Sequence, residues 1–153
     1  MTAIRNGIHH AAAEGFSARA DMYAKGRPEY PPELEGWLRD TLGLGIGATV
    51  VDLGAGTGKF IPRLLATGAA IVAVEPIVAM RAQLAAAFPD VRALSGTAEC
   101  IPLADESVDV VICAQAFHWF ATQAALSEIR RVLKPGGYLG LVWNVRDESV
   151  NWV

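Results

Sequence analysis

The chain has 153 residues, a length that suits a single domain with one hydrophobic core. Its composition, 52% hydrophobic and 19% charged, excludes a disordered chain, and a net charge of -3 without a basic run argues against binding to nucleic acid or to an anionic membrane. We expect no transmembrane segment and no secretory signal, because the sequence has no long apolar stretch. Cys100 and Cys113 lie in apolar surroundings without metal-type spacing. They are expected to be buried free thiols, which favours a cytoplasmic location.

The N-terminal part of the chain has the least regular pattern. Prolines in the segment 27–32 predict a stiff turn, since proline fixes its own φ and disfavours a helical conformation for the residue before it. Pro32 can then open a helix over residues 33–39, with Leu34, Trp37 and Leu38 on one face. The glycines that follow are expected to end this helix.

Beyond residue 48, predicted strands alternate with predicted helices. The strands are 49–53, 70–74, 91–94, 108–114 and 138–143, and the helices are 58–66, 77–88 and 123–133. The strands are apolar on both faces, which indicates a mostly parallel sheet that helices cover on both sides. With right-handed crossovers, this order predicts a doubly wound α/β fold.

The segment VVDLGAGTGKF, residues 50–60, is a candidate ligand-binding loop at the end of the first strand. A triphosphate-binding loop needs a longer spacing before its Gly-Lys pair and a Ser or Thr after the lysine, whereas Lys59 is followed by Phe60. A dinucleotide-binding loop has the pattern G-x-G-x-x-G, and its last glycine would fall on Lys59. Glu75, at the end of the second strand, suits an adenosine-type ligand without choosing one, so a nicotinamide dinucleotide stays an alternative.

A third kind of loop fits the spacing. The run Asp52-Leu53-Gly54-Ala55-Gly56-Thr57-Gly58 resembles the D-x-G-x-G-x-G loop of class I S-adenosylmethionine-dependent methyltransferases. Three further segments are similar to this family in the same order: 96–102, which would border the adenine, 108–115, the fourth strand, and 128–137, the helix and turn before the fifth strand. The resemblance extends from about residue 23 to residue 143 and is closest to the ubiquinone/menaquinone-biosynthesis and trans-aconitate methyltransferase group. It implies a Rossmann-like methyltransferase fold, S-adenosylmethionine as cofactor and a small-molecule acceptor.

The resemblance also implies roles for residues around the glycine loop. Gly54, Gly56 and Gly58 would shape the methionine side of the pocket, with Asp52 bonded to the loop or placed near the ligand's ammonium group. Glu75 would accept hydrogen bonds from both ribose hydroxyls. An ordinary strand-to-helix turn and a solvated surface acid are the simpler alternatives.

Further cofactor contacts are implied on the adenine side. Ile77 and Met80 would pack on the adenine, or alternatively belong to the core of the following helix. Ala98 would offer its backbone to the adenine edge, and Glu99 would accept from the exocyclic amine. Gln115 would lie near the methionine end.

The remaining implied residues flank this pocket. Tyr23 could close over the cofactor and Arg27 could pair with its carboxylate, although Tyr23 and Tyr30 could instead simply cover the core. His118 is a candidate general base for an acidic acceptor, or a residue that shapes the acceptor site. The sequence shows no cluster of metal ligands.

The family pattern predicts a division into an N-terminal cap and helix, residues 1–46, and a cofactor-binding α/β domain, residues 47–153. Because the family fold continues past its fifth strand, we expect this chain to lack the C-terminal strands. The fifth strand would then have a free edge, which favours a homo-oligomer formed through it. The alternative function is a fragment or module that binds S-adenosylmethionine without turnover.

Overall fold

The computed structural model describes residues 30–114 and 122–143. The strands are β1 (Thr49–Leu53), β2 (Ala70–Val74), β3 (Arg92–Leu94), β4 (Val108–Ala114) and β5 (Leu133–Val142). The helices are α1 (Leu34–Gly36), which continues as a π-helical segment (Trp37–Thr41), α2 (Ile61–Leu65), α3 (Val78–Ala87) and α4 (Gln123–Val132). The strands form one parallel sheet in the order β3-β2-β1-β4-β5, which confirms the predicted doubly wound α/β fold.

The strand order reverses direction beside the central strand, β1. The chain proceeds outward from β1 to β2 and β3, then returns to the other side of β1 to form β4 and β5. β1 pairs with β2 along its whole length and with β4 through residues 50–52. In open α/β sheets, ligands bind outside the carboxyl ends of the strands where the order reverses. Asp52 and the glycine loop occupy that position at the end of β1.

The core consists of two hydrophobic clusters, one on each face of the sheet. Successive residues of a strand point to opposite faces, and Val50 belongs to one cluster while Val51 belongs to the other. The first cluster includes Tyr30, whose ring packs edge-on against Phe60 at a centroid distance of 4.9 Å. Tyr30 is therefore a core residue, in agreement with the alternative that it covers the core. The second cluster joins the sheet to α4 through Ile129.

Several predicted helix boundaries are wrong for identifiable reasons. The helix expected over 33–39 is a single α-turn followed by a π-helical turn, in which the N–H of Leu42 donates to the carbonyl of Trp37 at 3.2 Å. The helix expected over 58–66 begins only at Ile61, because Gly58 has a φ of +95° that a right-handed helix cannot include. α3 is one residue shorter at each end than the predicted 77–88.

The start of β5 was also predicted wrongly. It begins at Leu133, which has extended backbone and aligns with Val108, whereas the sequence placed its start at Tyr138. The register then shifts so that Tyr138 aligns with Val110, and the residues between form an irregular bulge. The expected strand 91–94 begins one residue later, at Arg92.

The two cysteines differ in exposure. Cys113 is buried in β4, as expected, but Cys100 is exposed. Cys100 lies in a tight turn whose residues form an isolated bridge, and this turn places its side chain at the surface. Within the described ranges, no helix is long and apolar enough to cross a bilayer.

Candidate functional site

The glycine loop follows β1 and is attached to the neighbouring strand. The amides of Gly54 and Ala55 both donate to the carbonyl of Val74, at 2.8 and 3.1 Å. Gly54, Gly56 and Gly58 have φ values of +71°, +61° and +95°. This left-handed region is strained for residues with a Cβ atom, so the alternate glycines allow a path that other residues would resist.

Helix α3 packs directly under this loop. A Cβ atom at Gly58 would lie 2.9 Å from Cε2 of Phe88, closer than Cβ atoms normally approach, and a tight 3.1 Å from Cγ of Leu84. A Cβ at Gly56 would lie 3.5 Å from Cε of Met80, an ordinary contact. Met80 is buried, so it supports the loop from the core side.

Glu75 lies at the end of β2 and is fixed by two backbone hydrogen bonds. Its Oε1 accepts from the amide of Gly56 at 2.7 Å, and its Oε2 accepts from the amide of Ile77 at 2.9 Å. Each oxygen retains a further lone pair, so the carboxylate can accept from two more donors. Burial raises the pKa of Glu75, while these two bonds and Arg81 oppose that shift. Glu75 thus joins the glycine loop to the start of α3.

Arg81 is a part of this arrangement that the sequence did not reveal. Its Nη1 donates to the carbonyl of Glu75 at 2.8 Å. The signal was available in principle, because Arg81 lies on the first turns of α3 and can reach back over the strand end. The guanidinium of Arg81 thus fixes the backbone of Glu75, while the amide of Gly56 in the loop orients the carboxylate of Glu75.

Asp52 is a buried acid with an unsatisfied oxygen. Its exposure is 1%, and Oδ2 has no hydrogen-bond partner among the described residues. Burial, followed by repulsion from Glu75, raises the pKa of Asp52 to about 8. Cys113 on β4 also faces this charge, since Asp52 contributes to raising the pKa of the thiol. A buried carboxyl oxygen without a partner is costly, so we expect a ligand, or a polar group from outside the described residues, to complete the site.

The raised pKa of Asp52 predicts a pH-dependent stability. Its ordinary pKa is 3.8 and its folded-state pKa is about 8, so between these values the folded protein holds a proton that the unfolded chain has released. Its contribution to the free energy of unfolding is therefore lost as pH rises from 3.8 to about 8. Asparagine has no such proton to lose. As pH rises through this range, we therefore expect the free energy of unfolding of Asp52→Asn to rise relative to that of the parent chain, by roughly a few kcal/mol in total.

Urea denaturation of both chains at a series of pH values measures this difference. A stability difference between parent and Asp52→Asn that stays constant with pH would show that Asp52 keeps an ordinary pKa in the fold.

The candidate site has three walls, which are the glycine loop, Glu75 with the start of α3, and the segment after β3. Ala98 is buried in the second hydrophobic cluster, and the amide of Cys100 donates to the carbonyl of Thr97 at 3.1 Å. Glu99 is exposed, and its Oε2 accepts from the hydroxyl of Thr122 at 3.1 Å. The amide of Glu75 bonds the carbonyl of Leu94 at 3.0 Å, which places this segment beside the end of β2.

The structure brings together most of the predicted cofactor residues at one edge of the sheet. These are Asp52, Gly54, Gly56, Gly58, Glu75, Ile77, Met80, Ala98 and Glu99. Their roles toward a ligand stay predictions. Tyr23, Arg27, Gln115 and His118 lie outside the described residues. In the described part of the chain, no three His, Cys, Asp or Glu residues are grouped as a metal site would require.

Comparison with known proteins gives a consistent set of matches. The family described as "Methyltransferase domain" matches residues 51–141. An uncharacterised methyltransferase of Schizosaccharomyces pombe is 50% identical over 132 residues, which cover 86% of this chain and 53% of that protein. An uncharacterised methyltransferase of Mycobacterium tuberculosis is 51% identical over 138 residues, which cover 90% of this chain and 55% of that protein. The chain thus spans about half the length of these relatives.

Among solved structures, a SAM-dependent methyltransferase from Aquifex aeolicus superimposes with a TM-score of 0.67 at 25% identity. The match covers 82% of this chain and 71% of that chain. The family match contains the end of β1, the glycine loop, Glu75 and the segment after β3, so it includes all three walls of the site at the carboxyl edge.

Proposed function

Because the chain belongs to the methyltransferase domain family, as its glycine loop indicated, we propose that it binds S-adenosylmethionine at the carboxyl edge of β1 and β2 and transfers the methyl group to a small-molecule acceptor. The observation that carries this proposal is the buried Oδ2 of Asp52 beside the glycine loop, which finds no hydrogen-bond partner in residues 30–114 and 122–143. The ligand that fits there is cationic and carries hydrogen-bond donors. S-adenosylmethionine supplies the donors through its ammonium group and positive charge through both its ammonium and its sulfonium groups.

The same charges argue against a dinucleotide. Asp52 and Glu75 are both buried at the strand ends, and Asp52 lies two positions before Gly54. A pyrophosphate held by this loop would bring two negative charges beside Glu75 and would further oppose ionisation of Asp52, whereas a cationic ligand would favour the ionised form of both acids. The helix that follows the loop, α2, has five residues and carries Pro62 in its first turn, so it offers few amide donors for a phosphate.

Each wall of the site has a distinct part in the proposal. Asp52 would accept from the ammonium group, and Glu75 would hold the ribose hydroxyls through its remaining lone pairs. Ile77 is half-buried at the start of α3 and would border the adenine, with Ala98 and Glu99 on its edge. Met80 would act through the glycine loop that it supports.

The bound cofactor would supply a methyl carbon that its sulfonium already activates. The chain's own residues would then align the acceptor in line with that carbon and exclude water. Proton removal is required only for an acidic acceptor, and His118 is the residue we propose for it. Tyr23 and Arg27, in the proposed cap formed by residues 1–46, would close over the methionine end.

Two finer aspects also belong to the proposal. A cytoplasmic location is supported by Cys100 and Cys113, which are both free thiols. The free edge of β5, which pairs only with β4 in the described residues, would associate with a second copy of the chain. Sedimentation at increasing concentration tests this association, and a monomer throughout would contradict it.

Methyl transfer is tested with methyl-labelled S-adenosylmethionine and a pool of extracted small molecules. We expect label to move into a small-molecule product, and we expect the Glu75→Ala variant to lose that transfer. Binding of S-adenosylhomocysteine without any labelled product would favour the alternative, a cofactor-binding module without turnover. The test includes that alternative because the chain spans only about half the length of these relatives.

A further inference from the structure

Two charged residues of α4 hold the backbone of the segment that borders the proposed adenine position. Oε2 of Glu128 accepts from the amide of Ile101 at 2.8 Å, and Nη2 of Arg131 donates to the carbonyl of Ile101 at 2.9 Å. Nη1 of Arg131 also donates to the carbonyl of Leu103 at 2.8 Å. One pair of side chains thus contacts both backbone groups of Ile101, whose carbonyl also accepts from the amide of Leu103 at 2.8 Å.

The pair is rigid because its members bind each other. Nε of Arg131 donates to Oε1 of Glu128 at 2.7 Å, and Nη2 donates to Oε2 at 3.0 Å. Asp105 adds an ion pair to Nη1 at 2.8 Å. A guanidinium fork suits this set of acceptors, since its donors lie in one fixed plane. The hydrogen bond from Arg131 lowers the pKa of Glu128, which keeps that carboxylate ionised.

Ile101 belongs to the same compact turn, residues 96–102, as Ala98 and Glu99, so a shift of Ile101 would also move the residues proposed to border the adenine. A Cβ atom at Gly96 would lie 2.6 Å from Cδ of Pro102 and 3.2 Å from Cγ1 of Val74, so the two ends of the turn are in contact and lie against β2. Ala98 and Glu99 are in the middle of this turn. The carboxylate of Glu99 is itself tied to α4 through Thr122. These hydrogen bonds hold the turn from α4, while its buried residues Ala98 and Ile101 pack in the second hydrophobic cluster.

We propose that Glu128 and Arg131 are positioning residues that set the selectivity of the site for adenine over purines that lack its exocyclic amine. The inference rests on the proposed function, because it supposes that Ala98 and Glu99 face the base. Neither Glu128 nor Arg131 reaches the loop residues of the methionine side. Their loss should weaken recognition of the base edge more than recognition of the rest of the ligand.

The test compares two ligands that differ only at the base, S-adenosylhomocysteine and S-inosylhomocysteine, in calorimetric titrations. For the parent chain we expect tighter binding of the adenine ligand. In Arg131→Gln we expect the ratio of the two dissociation constants to fall by about tenfold, the loss of one good hydrogen bond to the base. Arg131→Lys should give an intermediate ratio, because an ammonium group cannot reproduce the fork.

Arg130→Gln is the matched control, since Arg130 is the exposed neighbour on the same helix. It should keep the parent ratio. A purely structural role for Arg131 would weaken both ligands equally, and an unchanged ratio in Arg131→Gln would overturn the inference. If Arg131→Gln does not fold, Glu128→Gln replaces it, because that change keeps an acceptor for Ile101 but removes the charge. Failure of the parent chain to bind either ligand would contradict the proposed function instead.

Discussion

Replacement of Glu75 by alanine is expected to weaken binding of S-adenosylhomocysteine by about a hundredfold or more. The change removes the proposed acceptors for the ribose and also two charge-assisted hydrogen bonds, to the amides of Gly56 and Ile77. Hydrogen bonds to charged groups contribute roughly 1.5–3 kcal/mol each, so the loss of the ribose contacts alone accounts for an effect of this size. Calorimetric titration measures it.

Two further variants separate the ribose contacts from the loop contacts. Glu75→Gln keeps one acceptor oxygen but sets an amide N–H₂ against a backbone donor, so binding should be intermediate. Asp90→Ala removes an exposed acid beyond α3 and should bind like the parent. A folded Glu75→Ala variant that binds within about threefold of the parent would contradict the assignment, since even one such bond is worth more.

Substitution of Gly58 by alanine should destabilise the fold more than the same substitution of Gly56, whose added Cβ would make only an ordinary contact. Gly58 combines a φ of +95° with a Cβ position 2.9 Å from Phe88. Left-handed backbone costs roughly 1–2 kcal/mol for a residue with a Cβ, and overpacking adds about 1–3 kcal/mol. We expect a loss of about 2–5 kcal/mol in the free energy of unfolding, measured by urea denaturation.

Gly43→Ala is the control that isolates the steric part. Gly43 has a φ of +73°, but a Cβ there would meet nothing within 4 Å. Substitution of Gly43 should therefore lower the free energy of unfolding only by the cost of a left-handed φ, roughly 1–2 kcal/mol. A second change, Phe88→Leu, should recover part of the stability of Gly58→Ala by making room for the methyl group. Equal losses for Gly58→Ala and Gly43→Ala would show that α3 does not pack under the loop as described.

The sheet and the glycine loop could be predicted because their causes are local. β1, β2 and β4 have the predicted bounds, since each is a short apolar run rich in β-branched residues. The positive φ values of the loop follow from its alternate glycines. The spacing of the same glycines carries the family resemblance. Glu75 was predicted at its place because it directly follows β2.

The features that sequence reasoning missed depend on contacts between distant segments. Arg131 reaches carbonyls 28 and 30 residues away, which no local pattern encodes. The start of β5 at Leu133 is set by its alignment with Val108. The exposure of Cys100 depends on a turn held from α4. Likewise, the missing partner of Asp52 becomes visible only when all neighbours of the buried carboxylate are known.

The most direct test of the central claim is a calorimetric titration of the ligand-free chain with S-adenosylhomocysteine and, in parallel, with NADH. Both ligands carry an adenosine, so both could use Glu75. Only the first carries an ammonium group for Asp52, and only the second carries a pyrophosphate. We predict saturable binding of S-adenosylhomocysteine and none of NADH at the same concentrations. Saturable binding of NADH, with none of S-adenosylhomocysteine, would contradict the account.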